Sequence, residues 1–198
     1  MQSLPLFIQL HHNDTSNQQW LKELVNNYLL LAKINKHQGQ LDEAMVNINK
    51  VENHFKMYSQ DSLVMRQTLI QQFDFLAESS LIFLTIDKPK AAESQFKQVS
   101  EILKKLNDSE NKELFFMAYS QYILAQIQMA NQSIELANTT FLKAADYSNK
   151  TLQDMPDSKE YLALNVAINK RIFNNKVDQK KINFLNKIKY KNPDYINP

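Results

Sequence analysis

Glycine occurs once in the 198 residues, at Gly39. Glycine-rich phosphate loops, dinucleotide-binding fingerprints, nucleophile elbows and hairpin-rich β folds all need positive φ or close backbone approach, so this scarcity argues against each of them. Cysteine is absent, which removes disulfides, thiol catalysis and cysteine–zinc sites. What remains is an ordinary globular composition, 43% apolar and 22% charged, long enough for one domain or two small ones.

Apolar residues recur at helical spacing along nearly the whole chain. Asn17 to His37 places Trp20, Leu24, Tyr28, Leu31 and Ile34 on one stripe, with Asp14, Thr15 and Ser16 as cap candidates before it and Gly39 as its terminator. Leu41 to Tyr58 carries Leu41, Ala44, Ile48, Val51 and Phe55. Leu63 to Ile86 carries Leu69, Phe73, Leu76, Ser80, Phe83 and Leu84. Pro89 suits the first turn of the next helix, Ala91 to Leu106. Lys112 to Ala130 and Ser133 to Gln153 form a further pair, followed by Tyr161 to Phe173 and Val177 to Tyr190. No segment alternates with period two between turn residues. The pattern predicts an all-α chain.

Short links force successive helices to lie antiparallel. Three of the pairs share a register. Ala32, Gly39 and Ala44 stand at steps of seven and five, as do Ser80, Asp87 and Ala92, and Ala125, Gln132 and Ala137. Four residues past each third member come Ile48, Phe96 and Phe141; three further come Val51, Val99 and Ala144. A small residue on each helix lets two backbones approach closely, and the bulky residue one turn later fills the groove to the next pair. Such units cannot bury their faces alone, so they are expected to stack as a solenoid.

This small–turn–small–bulky–small order resembles the tetratricopeptide repeat family over residues 17–153. Tyr28 and Leu76 fall where that family carries a large residue early in its first helix; Gln121 does not. The offsets of 48 and 45 residues exceed the family's usual repeat of about 34, and longer helices of this sort resemble the sensor domains of peptide-responsive regulators. The resemblance implies a right-handed superhelical solenoid of about three helical hairpins (17–58, 63–106 and 112–153), with an N-terminal arm at 1–16, C-terminal capping helices at 157–190 and a tail at 191–198.

It also implies a peptide- or protein-binding groove lined by the first helix of each pair. Carried onto this sequence, the groove positions are Asn26, Leu29, Lys33 and Lys36; Asp74, Ala77, Leu81 and Leu84; and Tyr119, Tyr122, Gln126 and Met129. Amide side chains suit an extended peptide backbone, because each offers donor and acceptor. Tyrosines add contact area with a polar tip. A carboxylate clamp of the kind found in chaperone-binding members is not expected, since Ala77, Leu81, Tyr119 and Ile123 supply no matching charges.

Charge is uneven. From Asn169 to Pro198 stand eight basic and two acidic residues, a net +6, which leaves −4 for residues 1–168 within the chain's total of +2. The basic segment includes Lys170, Arg171, Lys180, Lys181, Lys187 and Lys189 among Ile172, Phe173, Phe184, Ile188 and Tyr190. It reads as a capping helix with solvated lysines, or as a contact for nucleic acid or an acidic membrane. Asp42 and Glu43 favour a helix dipole at a helix start, and Glu78, inside an apolar helix, reads as the partner of a lysine at the groove rim, with a functional spot as the alternative. Leu4 to Leu10 either folds back on the first pair or reaches a partner. It lacks the basic lead-in and cleavage site of a secretory leader, and no run of 18 apolar residues occurs, as expected of a cytoplasmic protein. His11, His12, His37 and His54 show no metal-ligand spacing, and no nucleophile with its base is in evidence.

These readings predict a non-enzymatic binding scaffold without cofactor or metal, whose partner is a protein or peptide; self-association is compatible with it. Two other classes stay open: the ligand-sensing part of a transcription or signalling regulator whose output domain lies elsewhere, and a nucleic-acid-associated factor that uses the basic segment.

Overall fold

In the computed structural model, residues 3–55, 65–106, 112–172 and 179–187 are described. They form ten helices and, among the described residues, no strand: α1 (Ser3–Asn13), α2 (Gln18–His37), α3 (Leu41–Phe55), α4 (Met65–Thr85), α5 (Pro89–Phe96), α6 (Val99–Leu106), α7 (Lys112–Ala130), α8 (Ile134–Asp154), α9 (Lys159–Ile172) and α10 (Gln179–Lys187). The chain divides into two compact units, Met1–Leu106 and Asn107–Pro198. The all-α expectation holds.

Three helical hairpins, α2–α3, α4–α5 and α7–α8, close through one and the same turn. Gly39, Asp87 and Gln132 have φ of 74°, 55° and 62°, and they are the positive-φ residues among those described. The next residue in each case donates its backbone N–H to a carbonyl five residues earlier: Gln40 to Asn35 at 2.9 Å, Lys88 to Phe83 at 2.8 Å and Ser133 to Gln128 at 2.8 Å. This is the left-handed helix stop in which orphan carbonyls of the last turn are satisfied. Glycine is used once because an aspartate and a glutamine accept the strain at the other two positions. The flanking small residues Ala32, Ala44, Ser80, Ala92, Ala125 and Ala137 are all fully buried. Ser80 sits between two backbones, donating to the Leu76 carbonyl at 2.7 Å and lying 3.4 Å from the Ala92 carbonyl.

Within the first unit, α4 packs against α2, α3, α5 and α6. Enclosure on several sides explains why Phe73 and every residue from Phe75 to Ile82 are buried, where the sequence suggests a single stripe. Of the two readings of the N-terminal segment, the structure shows the fold-back: Ser3–Asn13 is a helix lying on α2, with His11 buried and Leu4, Phe7 and Leu10 half-buried. One further expectation needs correction. The helix expected over Ala91 to Leu106 is broken, because Gln98 N–H bonds to Gln95, three residues back, at 3.3 Å. The tightened turn rotates the buried stripe, so Val99, Ile102 and Leu106 follow Ala92 while Phe96 and Leu103 are half-buried.

The N-cap of α2 is Asn17, whose side chain accepts from the N–H groups of Gln19 and Trp20; Asp14 instead accepts from the Ser16 hydroxyl and N–H. The ends of the helices expected over Leu41 to Tyr58, Leu63 to Ile86 and Val177 to Tyr190 lie partly outside the described residues. In the second unit α9 packs on α8, α7 and α10 and is buried without a break from Tyr161 to Ile168.

Candidate functional site

A connected polar feature of the first unit is the seam between α2 and α4, the first helices of two successive hairpins. Gln71 donates through Nε2 to Asn26 Oδ1 at 2.7 Å and to the Lys22 carbonyl at 3.2 Å. One turn further along α4 and two along α2, Asp74 feels the charge of Lys33. One further turn on, Lys36 Nζ lies 2.7 Å from Glu78 Oε1. Contacts that ascend along both helices together mean that α2 and α4 point the same way.

The rungs differ in burial. Asn26 is exposed, Lys33 and Asp74 are half-buried, and Lys36 and Glu78 are closed off, with side chains 6% and 1% exposed. Glu78 Oε2 has no hydrogen bond among the described residues. Desolvation in the seam pushes the Asp74 carboxyl above the usual carboxylate range; the Lys33 ammonium opposes that shift and the Glu78 carboxylate adds to it. Between Asn26 and Lys33 on α2, Leu30 is 57% exposed. The strip thus offers an amide pair, an apolar side chain and a partly desolvated charge pair.

The expected groove residues therefore fall into two sets. Asn26, Lys33, Lys36 and Asp74 come together on one seam. Leu29, Ala77 and Leu81 are buried in the core, and Leu84 is half-buried. In the second unit Tyr119 and Tyr122 are buried, Tyr119 beside Phe115 and Tyr122 against Phe141 with ring centres 6.0 Å apart. Gln126 is half-buried and Met129 exposed. A separate surface hollow of about 560 Å³ on α7 and α8 is lined by Gln121, Thr139, Leu142, Lys143, Asp146 and Tyr147. Sequence reasoning did not single these out, because helical spacing alone does not show which outward residues border a hollow.

The basic segment is partly structural. Lys181 donates to Asn165 Oδ1 at 2.8 Å, the same oxygen accepts from Asn169 at 3.0 Å, and Asn165 donates to Asn149 at 2.9 Å. Asn165 is wholly buried, so this network ties α10 to α9. Lys170 is half-buried, whereas Arg171 and Lys187 are exposed. The side chains of Lys180 and Lys189 lie outside the described residues.

A third cluster joins α1, α2 and α3. His11 meets His54 edge-on with ring centres 5.8 Å apart, His54 stacks on Tyr28 at 5.8 Å, and Lys50 Nζ stands 5.0 Å from the Tyr28 ring centre. Sequence spacing did not link the two histidines; only the docking of α1 brings them together. Among the described residues no three metal-ligating side chains converge, and no helix is long and apolar enough to cross a membrane.

No protein-family model matches the chain, and no curated protein or solved structure shows significant similarity to it.

Proposed function

We propose that this chain is a non-enzymatic, tetratricopeptide-like scaffold that binds a peptide or partner protein along the first helices of its hairpins. The observation that carries the reading is the shared turn: Gly39, Asp87 and Gln132 take the left-handed conformation at the three positions aligned by the family's small–turn–small order. The α2–α4 strip supplies suitable chemistry. Asn26 can pair with a peptide backbone, Leu30 offers apolar area, and Lys33 and Asp74 give a charge pattern that sets orientation. The proposal includes right-handed superhelical stacking of the hairpins and residence in the cytoplasm.

The test is positional. A photo-crosslinking residue placed at Leu30 on a first helix is compared with one at Val46 on a second helix; the two native side chains are 57% and 52% exposed. Expected is one protein captured at Leu30, not at Val46, resistant to nuclease and reduced by Asn26→Ala with Lys33→Ala. Capture only at Val46, or at neither position, overturns the reading. A catch that vanishes with nuclease moves function to the basic residues Arg171 and Lys187.

A further inference from the structure

We propose that His11 and His54 form a proton-operated clasp that holds α1 on the first hairpin at neutral pH and releases it in mild acid. The clasp is independent of what the α2–α4 strip binds. Its geometry rests on three observations. The two imidazoles meet edge-on at 5.8 Å although 43 residues separate them, so the contact exists only while α1 is docked. His11 is 8% exposed. Both Nδ1 atoms are buried and, among the described residues, have no hydrogen-bond partner.

A neutral imidazole meets this arrangement at little cost. With its proton on Nε2, Nδ1 presents only a lone pair. Protonation places an N–H donor on a buried Nδ1 that has no acceptor, and it sets two cations face to edge. The docked state therefore selects two neutral rings, and the undocked state accepts two charged ones.

Neighbouring groups reinforce that preference on balance. On α2, Tyr28 is uncharged, and burial pushes its hydroxyl above its usual range. On α3, the Lys50 ammonium over Tyr28 adds positive charge near the cluster. Glu52 lies two residues from His54, on another side of α3. On α1, His12 is exposed. Asp14, in the link to α2, is a carboxylate that feels the His11 charge; it favours protonation, but it is bound by Ser16. Burial lowers the His54 pKa below its ordinary 6.5, and the charge of His11 lowers it further. A group with a depressed folded-state value supports docking above about 6.5 and withdraws that support as pH falls through the folded value.

Release uncovers the inner stripe of α1, namely Leu4, Phe7 and Leu10, along with the Tyr28–His54 surface beneath it. The test uses the full chain in hydrogen–deuterium exchange at pH 7.5 and pH 5.0, corrected for intrinsic rates and run in chelator. Expected is a loss of α1 protection of about tenfold or more at pH 5.0 with α7 and α8 unchanged, and abolition of that loss in His11→Gln with His54→Gln. Protection of α1 that is independent of pH, a loss that persists in the double variant, or a uniform loss across both units overturns the clasp. Should the double variant misfold, an NMR titration of the native chain decides. A value below 6.5 for His54, with α1 resonances shifting in step, supports the clasp; a His54 that titrates at 6.5 or above while α1 stays docked refutes it.

Discussion

Lys36 and Glu78 meet at 2.7 Å with side chains 6% and 1% exposed, one on each of two helices that run side by side. Charges withdrawn this far from water must be matched, because desolvation costs more than a surface ion pair returns. The pair therefore sets which turn of α2 lies against which turn of α4. It does so more as a register pin than as a source of stability.

Removing one partner should be costly. Lys36→Met leaves the Glu78 carboxylate buried and uncompensated, and about 3–5 kcal/mol of stability is expected to be lost. Lys36→Met combined with Glu78→Leu should recover most of it. Denaturant unfolding of the two single variants and the double checks this; additive losses would show that the charges do not act as a pair.

Asp74 gives the seam a pH signature. Its pKa is raised, chiefly by desolvation, so the folded state favours the neutral acid. The penalty is present above the raised value and is relieved as pH falls toward the ordinary 3.8. Asp74→Asn should thus raise the melting temperature at pH 7 and flatten its dependence on pH below neutrality. Lys33→Ala should steepen that dependence, since it removes the cation that opposes the shift. A native-like profile in both variants would exclude a desolvated, charged Asp74.

The turns predict opposite signs for similar changes. Gly39→Ala should destabilise by about 1 kcal/mol, because a side chain at positive φ is strained, even though a Cβ there meets nothing within 4 Å. Gln132→Gly should stabilise by up to about 1 kcal/mol, the relieved strain being partly offset by the entropy that glycine adds to the unfolded chain. Asp87→Gly should gain less, since aspartate tolerates this region better. Thermal melts of the three variants test whether one turn geometry serves all three hairpins.

Lys181 anchors the last described helix. Lys181→Met removes the donor to Asn165 Oδ1 and should raise amide exchange in α10 while α9 stays protected. Equal exchange in native and variant chains would mean that Leu185, 2% exposed, holds α10 without help.

Much of the local structure is legible in the sequence. Ala32, Gly39 and Ala44 and their counterparts locate the hairpins because steps of seven and five are local properties of two helices and a turn. The left-handed state of Gln132 is not readable from the residue type, only from its register with Gly39. The break at Lys97 and Gln98 has no glycine or proline to announce it; packing on α4 selects it.

The sequence by itself determined the helical segments from α2 onward, apart from the break between α5 and α6, together with their order and their three closing turns, since these follow from periodicity and from bonds spanning five residues or fewer. It also marked Glu78 as a carboxylate in need of a cation. Only tertiary structure decided that the cation is Lys36, that Tyr119 and Tyr122 are core, and that His11 reaches His54. Those outcomes depend on which faces of distant helices are enclosed, and enclosure is a property of packed helices rather than of any one segment.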